Sequence, residues 1–177
     1  MNASARTLLI VEDEIDIREI LVSFLEPLNL NILQAGNGKA ALEIIEDKKN
    51  TIHAIFTDIS MPEMTGLQLL GELKQNYDEI PIVMVSALGD RESLLEALRL
   101  GATDFIEKPF KDEQVLAVAR RVLEIGESQK VLNKIAHQLA DDPMSNVSRI
   151  FDMQKEKRKI AILTKKNNQE GKRRSKG

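Results

Sequence analysis

The chain of 177 residues contains no cysteine, no tryptophan, one tyrosine and five phenylalanines, so aromatics make up only 3% of it. Without thiols there are no disulfides, no thiolate metal sites and no cysteine nucleophile, which fits a reducing compartment. Long apolar runs are also missing. The longest, Ile80 to Leu88, contains Pro81 and Ser86 and is far too short to span a bilayer. Near the N-terminus Leu8-Leu9-Ile10-Val11 is followed at once by Glu12-Asp13-Glu14, so no secretory signal is read there and the expected location is the cytoplasm. Neither a GxGxxG nor a GxxxxGK[ST] phosphate loop occurs. What is present is 42% apolar residues, enough for one domain with a sizeable core plus an appendage. The net charge of −3 hides an asymmetry: residues 145–177 carry +8, and residues 1–144 carry −11. An acidic body with a basic tail suggests two jobs.

The first 126 residues alternate short apolar runs with helical patterns. Thr7–Val11, Leu30–Leu33, Ile52–Thr57, Ile80–Val85 and Asp104–Glu107 read as strands. Between and after them come helical stripes. The first spans Ile15–Leu28. The second follows Gly36-Asn37-Gly38, the third carries Leu67, Leu69, Leu70 and Leu73, the fourth is capped by Asp90 and stopped by Gly101, and the fifth spans Lys111–Ile125. Five alternating strand–helix units predict an α/β fold, a doubly wound five-stranded parallel sheet with helices on both faces. Five units are too few for an eight-fold barrel. Ligands in such a sheet sit beyond the carboxyl ends of the strands, where the winding reverses.

Those ends carry Glu12-Asp13, Asp58, Ser86 and Lys108. Three carboxylates brought to one edge repel one another, and a divalent cation relieves the repulsion. An oxygen-only donor set without His or Cys suits Mg²⁺, which commonly serves a phosphoryl group. Lys108 would supply positive charge for phosphoryl oxygens and Ser86 a hydroxyl donor. Asp58, on the strand expected at the centre, is the best-placed nucleophile for an aspartyl phosphate. His53 and His137 read as structural or surface residues, since neither has a ligand-like neighbour. Glu14 reads as a first-turn acid facing a helix dipole.

At this point five segments resemble the receiver domain of bacterial two-component response regulators, of the chemotaxis-regulator type. They are Leu9–Glu14, Ala35–Leu42, Thr57–Gly66, Val83–Ala87 and Gly101–Phe110, in order and at compatible spacing. The resemblance covers residues 6–126. It implies a flavodoxin-like sheet of strand order 2-1-3-4-5, and Asp58 as acceptor of a phosphoryl group from a sensor histidine kinase, a phosphotransfer protein or a small phosphodonor. It implies Mg²⁺ bound directly by Asp13, Asp58 and the backbone carbonyl of Ser60, with Glu12 acting through metal-bound water. It implies that Lys108 pairs with phosphorylated Asp58, that Ser86 and Phe105 form the switch, and that the Lys108-Pro109 bond is cis. The changed face, built from the fourth helix, fifth strand and fifth helix, would bind a downstream protein. The chain would catalyse only its own phosphoryl transfer. Ser86 stands where Thr is commoner and Phe105 where Tyr is commoner. Leu88 cannot hold an attacking water by hydrogen bonds, so slow self-dephosphorylation is expected.

Past the receiver, residues 127–142 read as a helical extension and 143–177 as a basic, partly disordered tail. Val115, Val118, Val122, Ile125, Gln129, Leu132, Ala136 and Leu139 recur at 3-4 spacing. They read either as a coiled-coil seam for a homodimer or, in their first half, as the inward stripe of the fifth helix. Gly126 weakens helix continuity by about 1 kcal/mol against Ala, and Asp141-Asp142-Pro143 ends the helix. Ser145 reads as the cap of a short helix. The basic run 155–177 offers contacts to nucleic-acid phosphates, giving a DNA-binding transcriptional regulator as the alternative function. About fifty residues are too few for a winged-helix output domain, and no helix-turn-helix, zinc spacing or aromatic stacking platform is present. A phosphatase of the haloacid-dehalogenase type is set aside, because the second acid that chemistry needs two residues after Asp58 is Ser60.

Overall fold

The structure is a computed structural model and describes residues 6–48 and 52–140. Strands β1 (Thr7–Val11), β2 (Asn31–Ala35), β3 (Ile52–Asp58), β4 (Ile82–Ser86) and β5 (Asp104–Glu107) form one parallel sheet in the order β2-β1-β3-β4-β5. Between them run α1 (Ile15–Leu25), α2 (Gly38–Lys48), α3 (Gly66–Asn76) and α4 (Arg91–Leu100), and α5 (Asp112–Ala140) follows β5. The chain divides into two units, Met1–Gln129 and Lys130–Gly177. The first holds the sheet. Of the second, the described residues are the continuation of α5 to Ala140.

Alternation along each strand feeds both faces of the sheet. On one face Leu9, Val11, Ile55 and Met84 meet Ala41 and Ile45 of α2, the leucines of α3, and Ala97 of α4. On the other, Leu8, Ile10, Phe56 and Val83 meet Leu21 and Leu25 of α1 and Val115, Ala119, Val122 and Leu123 of α5. This two-sided burial is why the central strands read as near-continuous apolar runs. The expected caps are in place: Asp90 accepts the Ser93 N–H at 3.3 Å, and Gly101, at φ 95°, closes α4 in the left-handed conformation.

Several element boundaries differ from expectation. The first helix stops at Leu25, and Glu26–Leu28 forms a 3-10 turn, because Pro27 has no N–H to continue the helix. Strand β2 extends over Asn31–Ala35; it is an edge strand, so Asn31 and Gln34 face solvent and shorten its apolar signature. Strand β4 starts at Ile82, since Ile80 is held in a turn by its N–H to the Tyr77 carbonyl at 3.0 Å, and it includes Ser86. The fifth helix runs through Gly126 without a break, so the extension expected over 127–142 continues it as far as Ala140.

Gly126 has a positive reason to be there. A Cβ at this position would lie 2.1 Å from the His53 carbonyl oxygen. The backbone of β3 bulges at this point: Thr7 pairs with Ile52 and Leu8 with Ala54, leaving His53 as the extra residue. The Thr7 N–H donates to His53 Nδ1 at 3.0 Å, so this histidine is structural, as expected. Val115 and Val122 of the proposed seam are buried against the sheet, alongside Ala119 and Leu123. The first half of the apolar stripe is therefore the inward face of α5. The side chain of His137, the segment from Asp141 onward, the Ser145 cap and the basic tail lie outside the described residues.

If Gly126 were only a weak point in a helix, Ala would stabilise it by about 1 kcal/mol. The close approach to His53 reverses that sign. Gly126→Ala is expected to destabilise the protein by about 1–3 kcal/mol, the usual cost of overpacking. Urea denaturation checks this, and a higher midpoint would contradict the packing account.

Candidate functional site

The parallel ladder continues past the strand ends and delivers the functional side chains to one edge. Glu12 N–H donates to the Ala35 carbonyl at 3.0 Å, Ile59 N–H to Val85 at 3.0 Å, and Lys108 N–H to Ser86 at 2.8 Å. Gly66 N–H donates to Ile59 at 2.9 Å, and a Cβ on Gly66 would lie 2.0 Å from the Asp58 carbonyl oxygen. Only a glycine lets α3 start this close to the end of β3. Thr65 and Gln68 close a reciprocal capping box on α3, a pattern the sequence carries in the Thr-x-x-Gln spacing.

Glu12, Asp13, Asp58 and Lys108 come together as expected. Lys108 Nζ lies 2.6 Å from Asp58 Oδ1 and 2.9 Å from Glu12 Oε2. Asp58 Oδ2 accepts the Ser60 backbone N–H at 2.6 Å. Glu12, Asp13 and Asp58 each present a carboxylate oxygen, all within 4.8 Å of one another. Glu12 is 1% exposed and Asp58 6%, whereas Asp13 is exposed. Ser86 is buried at the end of β4, and Phe105 is 39% exposed. The Lys108-Pro109 bond is cis.

The charges in this pocket are unequal in their comfort. Burial pushes the Glu12 carboxyl above the ordinary range and the Asp58 charge adds to this, while Lys108 and the Glu14 N–H pull the other way. Burial alone would pull the Lys108 ammonium down, but hydrogen bonds and charge from Asp58 and Glu12 outweigh it and hold the group above its usual value. Two unit charges 4 Å apart interact by about 4 kcal/mol at an effective dielectric constant of about 20. Three clustered carboxylates are thus under-compensated by one ammonium. The donor set is all hard oxygen, which fits a small divalent cation; Glu12, Asp13 and Asp58 are the side chains that could hold it.

Two residues make contacts that escaped the sequence, Glu63 and Arg18. Glu63 sits in the left-handed region at φ 63°, and its carboxylate takes Asn37 Nδ2 at 3.2 Å and Lys39 Nζ at 3.5 Å, strapping the loop after Asp58 to the start of α2. Arg18 of α1 donates from Nη1 to the Glu12 carbonyl oxygen and from Nε to Gln34 Oε1 at 3.2 Å. Neither has a local motif, because each depends on how a helix is placed against the sheet.

The site has relatives. The family described as response regulator receiver domain matches residues 8–120. An NtrX-like response regulator of Rickettsia bellii is 35% identical over 119 residues, 66% of this chain and 24% of its own length. The phosphate regulon transcriptional regulatory protein PhoB of Pseudomonas aeruginosa is 35% identical over 120 residues, 67% of this chain and 52% of its own. The crystal structure of the receiver domain of NtrX from Brucella abortus superposes with a TM-score of 0.62 at 39% identity, covering 66% of this chain and 98% of that one. The chain thus spans about a quarter to a half of the length of these two curated relatives.

Because its folded state binds the Glu12 proton more tightly than the unfolded chain does, the metal-free protein gains from Glu12 below the ordinary carboxylate range. It loses that gain as pH rises through the raised folded value. At neutral pH in chelator, Glu12→Gln is expected to melt above wild type and to bind Mg²⁺ more weakly. Calorimetry and thermal denaturation check both, and a lower melting point in chelator would count against the buried-charge account.

Proposed function

The chain belongs to the response regulator receiver domain family of two-component systems, and from that premise we propose that Asp58 is its phosphoacceptor and Mg²⁺ its cofactor. The observation that supports this reading is a single pocket in which Lys108 bridges Asp58 and Glu12, with Asp13 alongside. An Asp58 carboxylate oxygen attacks the phosphorus of a phosphohistidine or small phosphodonor. The O–P bond forms as the bond to the leaving group breaks, and the leaving imidazole takes up a proton. Asp13, Asp58 and the Ser60 carbonyl would hold the cation directly in this reading, and Glu12 would reach it through water. When bound, the cation neutralises phosphoryl charge that Lys108 alone cannot. Lys108 then pairs with the modified Asp58. Ser86 bonds the phosphoryl group, and Phe105 turns inward into the space Ser86 vacates.

The protein turns over no outside substrate: its chemistry is its own modification, and its output is the face of α4, β5 and α5. Leu95 and Leu98 of α4 and Phe105 of β5 are exposed apolar groups on those elements, suited to a protein partner. The reading places the protein in the cytoplasm with a histidine kinase or phosphotransfer protein as donor. Among the described residues, no helix is long and apolar enough to cross a membrane.

Mass spectrometry after incubation with Mg²⁺ and a small phosphodonor tests the acceptor. Wild type is expected to gain one phosphoryl group and Asp58→Asn none, and equal incorporation by the variant would end the assignment. Leu88, 75% exposed and apolar, offers no hydrogen bond to an attacking water. The phosphoryl group is therefore expected to persist for minutes, not seconds, in the same assay.

A second reading has its own support. One relative, PhoB, is named a transcriptional regulatory protein, and residues 155–177 of this chain are strongly basic. DNA binding through 155–177 would then be the output. Retention on DNA that falls steeply with salt is its expected sign, and no retention at low salt rules it out.

A further inference from the structure

Arg18 lies on α1 outside the acidic pocket, yet its guanidinium reaches the backbone that carries two of the pocket's acids. Nη1 donates to the carbonyl oxygen of Glu12, and Nε donates to Gln34 Oε1 on β2 at 3.2 Å. That carbonyl belongs to the peptide unit joining Glu12 to Asp13. On its other side, the Glu12 N–H is fixed to the Ala35 carbonyl at 3.0 Å. That bond is the last rung of the β1 ladder, and the turn into α1 begins with the next peptide unit. Asp13 itself is exposed, so packing does little to hold it. The plane of the Glu12–Asp13 peptide therefore depends on Arg18, and Gln34 in turn aims the guanidinium.

We propose that Arg18 is a positioning residue for divalent-cation binding: by clamping the Glu12 carbonyl it sets the direction in which Glu12 and Asp13 present their carboxylates. This rests on the reading that Glu12, Asp13 and Asp58 hold Mg²⁺, and extends it to a side chain that touches neither metal nor phosphoryl group.

Two roles for Arg18 predict opposite signs. As a mere positive charge near the pocket it repels a cation, so its removal tightens Mg²⁺ binding. As a clamp it preorganises the ligands, so its removal loosens binding, by about tenfold for a typical residue that orients metal ligands. Lysine separates the roles further. It keeps the charge but lacks the planar fork that reaches two acceptors at once.

Isothermal titration calorimetry of the full chain with MgCl₂ alone decides the matter, with thermal denaturation in chelator as the control for folding. Arg18→Ala is expected to raise the Mg²⁺ Kd about tenfold. Arg18→Lys is expected not to restore it, and Gln34→Leu to raise it by a smaller factor, with melting in chelator close to wild type for both. An Arg18→Ala protein that folds and binds Mg²⁺ as tightly as wild type, or more tightly, overturns the clamp. Should Arg18→Ala fail to fold, unchanged affinity in both Arg18→Lys and Gln34→Leu overturns it equally. Wild type that gives no Mg²⁺ isotherm refutes the parent reading of the site. Wild type that binds while the variants match it refutes the clamp alone.

Discussion

Three carboxylates crowd the carboxyl edge of the sheet, and one ammonium holds two of them. Lys108 lies within 3 Å of both Asp58 and Glu12, and the strand order brings it there. Residue 12 follows β1, 58 ends β3 and 108 follows β5, and they are widely separated in sequence. They meet because β1 and β3 are neighbours, with β2 turned outward to the edge, so that the winding reverses between them. The apolar core enforces that order. Its two layers bury both faces of β1, β3 and β4, and a one-residue slip of any of these strands would exchange the layers. Hydrophobic burial thus holds together charges that would otherwise separate.

The oxygen count shows how such a pocket still has room for a cation. Asp58 Oδ1 receives Lys108 and Oδ2 receives the Ser60 N–H. Glu12 Oε2 lies 2.9 Å from Lys108 Nζ as an ion pair without hydrogen-bond alignment, and Oε1 accepts the Glu14 N–H at a long 3.4 Å. Each ionised carboxylate has about four acceptor positions, so these contacts leave capacity on every oxygen. The Ser60 N–H holds the Asp58 carboxylate at 2.6 Å, while Lys108, on a flexible four-carbon stem, can shift to meet new negative charge.

Most of the fold was legible because the strongest signals are also the most buried ones. β1, β3 and β4 announce themselves through uninterrupted apolar residues, and Asp90 and Gly101 bracket α4 with ordinary capping chemistry. The misreadings fall where burial is one-sided or where local chemistry competes. β2 hides its length behind Asn31 and Gln34, α1 yields at Pro27, and β4 shifts by the turn at Ile80. The site itself was legible by a different route. Asp58, Lys108 and the two acids at 12 and 13 stand at predicted strand ends, and the order of five segments around them matches a family. Arg18 and Gln34 were not legible, since a guanidinium meeting a backbone carbonyl is set by where α1 docks and not by any spacing along the chain.

At the opposite edge, two apparent defects explain each other. A glycine within a 29-residue helix and a break in the alternation of β3 each look unfavourable alone. The bulge at His53 turns its carbonyl toward α5, and only a residue without Cβ can pass it. The same bulge deprives the Thr7 N–H of its ladder partner, and the His53 ring supplies one. Around this junction Arg6, just before β1, pairs with Glu127 at 3.8 Å, a contact whose own contribution is small at the surface. What matters is the backbone fit. It ties the start of β1, the start of β3 and the last turns of α5 within the first unit, so the strands that carry Glu12 and Asp58 are fixed at their far ends as well. The chemistry at one edge therefore rests on strands anchored at the other. A helix-propensity scale would misread Gly126, because its role lies in the approach of two backbones and not in the helix that contains it.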